Sequence, residues 1–157
     1  MLAAYPWRQR SCCIAILAGM LLAAQLGVLI GPARGAETIT ISDAWVPATA
    51  QVGSNVAVSM IIRNTSDAAD ALVRVRCEAA NFAVKHTVDR GEGAPAMREI
   101  FAIPVAAGGT TVLKPDGYHI MLLQTRQPLA AGDAMNCSIV FQKAGTIETE
   151  VKVHGQP

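Results

Sequence analysis

Two histidines and two methionines carry the chemistry this sequence offers. His119 and Met121 stand two residues apart in the apolar run that follows a Pro-Asp-Gly turn, KPDGYHIMLL from Lys114 to Leu123. In an extended strand such residues share one face, with Cα atoms about 6.5–7 Å apart, so both side chains can converge on one ion. His86 lies in FAVKHTV, in phase with Phe82, Val84 and Val88. An imidazole on an otherwise apolar face needs a hydrogen-bond partner or a ligand. Met97 follows the glycine-rich turn Gly91–Pro95, and a hairpin there would bring His86 and Met97 opposite each other.

Two imidazoles with two thioethers make a soft, neutral donor set. Thioethers select Cu(I), and imidazole also accepts copper. Zinc more often brings thiolate or carboxylate into its shell, and calcium and magnesium want oxygen. A blue-copper electron-transfer centre needs a cysteine thiolate beside its histidines, and Cys77 and Cys137 fit no such arrangement near His119. The set suits holding copper rather than cycling it. The same residues admit a plainer reading, because a single strand histidine is more often hydrogen-bonded or exposed, and methionine commonly fills a core. Met60 and Met135, in or beside apolar runs with no histidine nearby, are of that kind. On that reading the chain is a metal-free β-sandwich interaction or assembly module.

Other function classes find little support. No G-x-S-x-G, Walker or zincin spacing occurs, and most acidic residues fall in turns or alternate outward along strands, so catalysis is not expected. A net charge of +1 and an aromatic content of 4% provide neither a basic footprint nor stacking platforms for nucleic acid.

The elements that must position these residues are short β-like runs separated by turn chemistry, without a helical period. Strands are expected at 38–44, 55–64, 71–77, 82–88, 97–103, 110–114, 119–123, 136–142 and 148–153. Clusters such as Asn64–Asp67, Ala107–Gly109, Pro115–Gly117 and Ala131–Asp133 supply residues that tolerate positive φ or preset a turn. Such spacing indicates an all-β domain, an antiparallel Greek-key sandwich or small barrel. His154, near the end of the chain, reads as a frayed tail residue.

The first 35 of the 157 residues form a separate segment: Arg8 and Arg10, then the apolar Ile14–Ile30, then GPARGAE. This describes a signal peptide cleaved after Gly35, or an uncleaved anchor tethering the protein through residues 12–31. Either way residues 36–157 are exported, and contact with a membrane is expected only if the segment stays. Cys12 and Cys13 precede the apolar run and leave with it. In an oxidising compartment the remaining pair, Cys77 and Cys137, suggests a disulfide, with two separate buried thiols as the alternative.

The spacing of His86, Met97, His119 and Met121 resembles the H-x10-M-x21-H-x-M signature of the periplasmic copper chaperones called PCuAC, or DUF461, proteins. The likeness extends through DAWVPAT, PVAAGGTTVLKPDGYHIMLL, QPLAAGDAMNCSIVF and KAGTIETEVKV, nearly all of 38–153. The resemblance implies a cupredoxin-like β-barrel or sandwich without the blue-copper cysteine, and Cu(I) held by His86, Met97, His119 and Met121. It further implies a copper-accepting partner, either the Cu(A) centre of cytochrome c oxidase or another copper chaperone. The chain departs from the family where Thr87 and Val88 replace a frequent extra methionine, and where Pro47 replaces an arginine after the early tryptophan. Cys77 and Cys137 are also outside the family pattern.

Overall fold

Residues 38–91 and 93–155 are described by the structure, a computed structural model. The export segment expected over residues 1–35 lies outside them. Ten strands and no helix make up the described residues: β1 (Ile39–Pro47), β2 (Val56–Asn64), β3 (Asp70–Cys77), β4 (Ala80–Asp89), β5 (Ala96–Glu99), β6 (Ile103–Val105), β7 (Thr110–Leu113), β8 (His119–Thr125), β9 (Ala134–Phe141) and β10 (Gly145–His154). Alternation explains most of them. In β2, Val56, Val58, Met60 and Ile62 are buried, as period-2 side-chain placement requires for an inward row. In β10, Val151 and Val153 turn inward while Glu148, Glu150 and Lys152 stay exposed.

Hydrogen bonding runs in the order β5-β4-β8-β2-β1-β10-β9-β3-β6, with β7 attached to β2. β2 is the joint between the two layers. Its first part, Val56–Val58, pairs with β8, whereas Met60–Arg63 pairs with β7. The β5-β4-β8 wing thereby folds over the remaining strands. Ile120 and Leu122 from the wing share one core with Ile62, Leu72, Ile103, Ile139 and Phe141. Every pairing between these strands is antiparallel except that of β1 with β10, where Trp45–Pro47 run beside Lys152–His154.

Two expectations change here. The run 97–103 is two strands: β5 pairs with β4, and after a bend at Phe101 β6 pairs with β3. One apolar stretch crosses between layers, which leaves Met97 on an outer strand. Nor is His154 frayed. It ends β10 opposite Pro47, and its ring stacks on Trp45 with centroids 5.1 Å apart. A bulge in β1, with Asp43 at φ 50°, precedes the stretch that meets β10.

Cys77 and Cys137 face each other directly across β3 and β9 and form a buried disulfide, Cα to Cα 4.1 Å. At the other end of β3, Asp70 pins the β9–β10 turn. Its carboxylate accepts from the N–H groups of Ala71 (2.7 Å), Lys143 (2.9 Å) and Ala144 (2.9 Å). Burial pulls the Asp70 carboxyl upward, but the bonds from Ala144, Ala71 and Lys143, with the Lys143 charge, hold it below the ordinary value of 3.8. Asp70→Ala strips three backbone donors of their acceptor and is expected to cost about 1–3 kcal/mol, read from urea unfolding at neutral pH.

Candidate metal centre

The wing is a regular ladder. Phe82 faces Leu123, Val84 faces Met121 and His86 faces His119 across β4 and β8, while Val88 faces Met97 and His86 faces Glu99 across β4 and β5. Directly opposed residues project to the same side, and so do residues two apart. His86, Met97, His119 and Met121 therefore all lie on one face, the one turned away from Ile120 and Leu122. The hairpin sets His86 and Met97 diagonally rather than opposite, because Glu99 holds the place across from His86.

His119 is 1% exposed although it is on the outward face. The turn before it fixes its ring. Gly117 N–H donates to the Lys114 carbonyl and Lys114 N–H to the Tyr118 carbonyl, closing the turn. The Gly117 carbonyl, so placed, accepts from His119 Nδ1–H at 3.0 Å. In the neutral ring that bond leaves Nε2 as the nitrogen with the free lone pair, and Nε2 is 3.2 Å from Met97 Sδ, so two potential metal donors face each other. Carbonyl-oriented imidazoles of this kind are the usual support of metal-binding histidines. Sequence reasoning did not assign the Gly117 carbonyl, though the Pro-Asp-Gly turn marked where it would be.

His86 completes the cluster. Its ring centroid is 5.5 Å from that of His119, and its Nδ1 is buried with no hydrogen-bond partner. Leaving a ring nitrogen buried and unpaired costs about 1–3 kcal/mol, a cost a bound cation would remove. Burial, then the neighbouring His119 ring, push the His86 pKa below 6.5, with Glu99 opposing. The imidazole is thus kept neutral, as a ligand must be. The ladder brings His86, Met97 and His119 into one cluster and sets Met121 on the same face, half-buried, one row along opposite Val84. His154 stands apart on Trp45.

Because the folded His86 pKa is depressed, the unfolded chain takes up this proton more readily. The stability His86 contributes is complete above pH 6.5 and falls as pH drops from 6.5 through the folded value. Urea unfolding of the metal-free protein should show a decline over that window that is smaller in His86→Gln.

Known proteins share both the sequence and the fold. The LpqE-like family model matches residues 39–153. The chain belongs to the LpqE-like (DUF461) family. A curated relative of this LpqE-like protein, "Putative lipoprotein Lxx21020" from Leifsonia xyli subsp. xyli, is 32% identical over 126 residues, 78% of this chain and 73% of its own. Among solved structures, the copper-bound PCuAC domain from PmoF2 superimposes with a TM-score of 0.66 at 21% identity, over 76% of this chain and 94% of that one. The apo PCuAC domain from PmoF1 gives 0.65 at 24% identity, over 76% and 95%. The Cu(I) form of DR1885 from Deinococcus radiodurans gives 0.59 at 24%, over 77% and 83%. The LpqE-like chain therefore has the cupredoxin-like β-sandwich of PCuAC domains.

Proposed function

We propose that this LpqE-like protein is an exported copper chaperone that carries Cu(I) on His86, Met97, His119 and Met121 and hands it to a copper-accepting protein. The observation that carries this reading is the meeting of His119 Nε2 with Met97 Sδ at 3.2 Å, with the His86 ring, whose Nδ1 has no partner, centred 5.5 Å from that of His119. Soft neutral donors select Cu(I). The copper-bound state of the PmoF2 domain and the Cu(I) state of DR1885 support copper as the cargo, and the lipoprotein name of the Leifsonia relative supports export. We place the protein in the periplasm, tethered only if its N-terminal segment is retained, and we assign it no catalytic reaction. The acceptor we favour is the Cu(A) centre of cytochrome c oxidase, with another copper chaperone as the second choice.

The four donors differ in how easily they can be exchanged. Met97 is 62% exposed on the four-residue outer strand β5, whereas His119 is buried and anchored to Gly117. An incoming donor replaces Met97 first and His119 last. Stepwise replacement lets copper pass without ever becoming free.

Titration with Cu(I) against a competing chelator tests the reading. One equivalent should bind. No binding, or binding unchanged in a His119→Ala, Met121→Ala double variant, refutes it. Protons compete for the same imidazoles, so affinity should hold from neutral pH down to about 6 and fall below that. Affinity that stays flat to about pH 5 means the histidines are not ligands.

A further inference from the structure

The donor cluster can be reached from one side only. The core side of the wing is closed by Ile120 and Leu122, both fully buried. Lys85 also faces the core, and its stem runs across to β3, where Nζ donates to the Val73 carbonyl at 2.8 Å. Whatever takes the metal must approach over the outward face, past Met97.

That face is unusually apolar for a solvent-exposed surface. Five large hydrophobic side chains are exposed among the described residues; two of them are on this face and a third is in the bend at its edge. Phe82, 59% exposed, is in the same row as Val84 and His86. Met97 lies beside Val88 at the other end of that row. Phe101, 98% exposed, follows Ile100, whose N–H bonds to the Lys85 carbonyl, and lies in the bend where the chain leaves the β4 edge for β6. Scattered exposed hydrophobes need no explanation, but exposed hydrophobes at both ends of the row that carries His86 mark a contact surface along it.

The charges around the face are already balanced. Arg98 pairs with Asp89, and Arg90 and Lys114 pair with Asp116. With Glu99 opposite His86 and Lys85 turned to the core, three cations meet three anions among the described residues of the wing and its turns. A strongly charged partner finds no complementary field here, and an apolar one finds two exposed phenyl rings.

We infer that the outward face of the β5-β4-β8 wing is the docking surface for the copper-accepting protein, which meets Phe82 and Phe101 with an uncharged apolar rim around its own empty ligands. This inference rests on the copper reading above. Complex formation then covers the site, and water is excluded while donors are exchanged.

The test compares two acceptors for the Cu(I)-loaded protein: the apo Cu(A) domain of cytochrome c oxidase and the small chelator bicinchoninate. Phe82→Ser with Phe101→Ser should slow transfer to the protein acceptor about tenfold or more, as loss of aromatic anchors does. Transfer to the chelator and Cu(I) affinity should not change, because neither ring is a ligand. Between about 20 and 500 mM salt the protein-to-protein rate should change less than about twofold, since no charge pairing is involved. Equal rates for variant and wild type overturn the inference, as does absence of transfer from wild type to the Cu(A) domain. A dimer in sedimentation velocity that the double substitution dissolves reassigns the face to a second copy. Flotation with phosphatidylglycerol vesicles that the substitution abolishes reassigns it to lipid. Failure of the copper reading is distinct from all of these, because it shows as no Cu(I) binding before any acceptor is added.

Discussion

The His119→Ala, Met121→Ala double variant will lose Cu(I) affinity by more than about 100-fold, since even the outer partners of metal ligands are worth 10–100-fold. Competition against a chelator of known affinity measures the loss. His119 is buried, so alanine there also removes packing. Unfolding of the metal-free variant must be followed in parallel to show that the domain remains folded. Met97→Leu separates the two effects cleanly. Leucine nearly keeps the volume, and Met97 is mostly exposed, so stability should move by less than about 0.5 kcal/mol. Affinity should still fall, because the sulfur that faces His119 Nε2 is gone. Unchanged affinity in Met97→Leu would remove Met97 from the donor set.

Removing the Cys77–Cys137 disulfide will destabilise the domain by about 4 kcal/mol, on the order of 20 °C in Tm, for the loop it closes. The two cysteines are 60 residues apart in sequence. The loop between them contains all of β4 through β8, including every proposed ligand. Cys77→Ala with Cys137→Ala, compared by thermal unfolding with the oxidised protein, gives the value. A loss below about 1 kcal/mol would mean that the unfolded chain is not appreciably constrained by the link. The variant should bind Cu(I) as before wherever it is folded, since neither sulfur is a donor.

Much of this architecture was legible because it is local. Alternation in β2 and β10 follows from period-2 placement of apolar residues, and the turns before β7, β8 and β9 carry Gly, Pro or Asp. What escaped was non-local. The 97–103 run has no glycine or proline at its bend, so one apolar stretch reads as one strand although β5 and β6 bond to different partners. His154 looks like a tail residue until β1 is laid beside β10 and brings Trp45 under it. At the site, the spacing of His119 and Met121 fixed their shared face, and the parity of His86 joined them to it. The diagonal offset of Met97 and the burial of His119 depend on the hairpin register and on the turn that delivers the Gly117 carbonyl. Those are properties of paired strands, not of any one of them.

The place of the last strand governs when this domain can become a folded object. β10 lies between β1 and β9, so the half of the hydrogen-bonded path led by β1 and β2 joins the half led by β9 and β3 only through the final ten-residue strand. Until that strand is available, β1 and β9 both present open edges and the core has no closing side. Hairpins β1–β2, β4–β5 and β9–β10 can form locally, but the pairings of β1 with β10 and of β3 with β9 span the chain, and such long-range pairing slows folding. Without β10, the strands on either side of it would each be left with an unpaired edge.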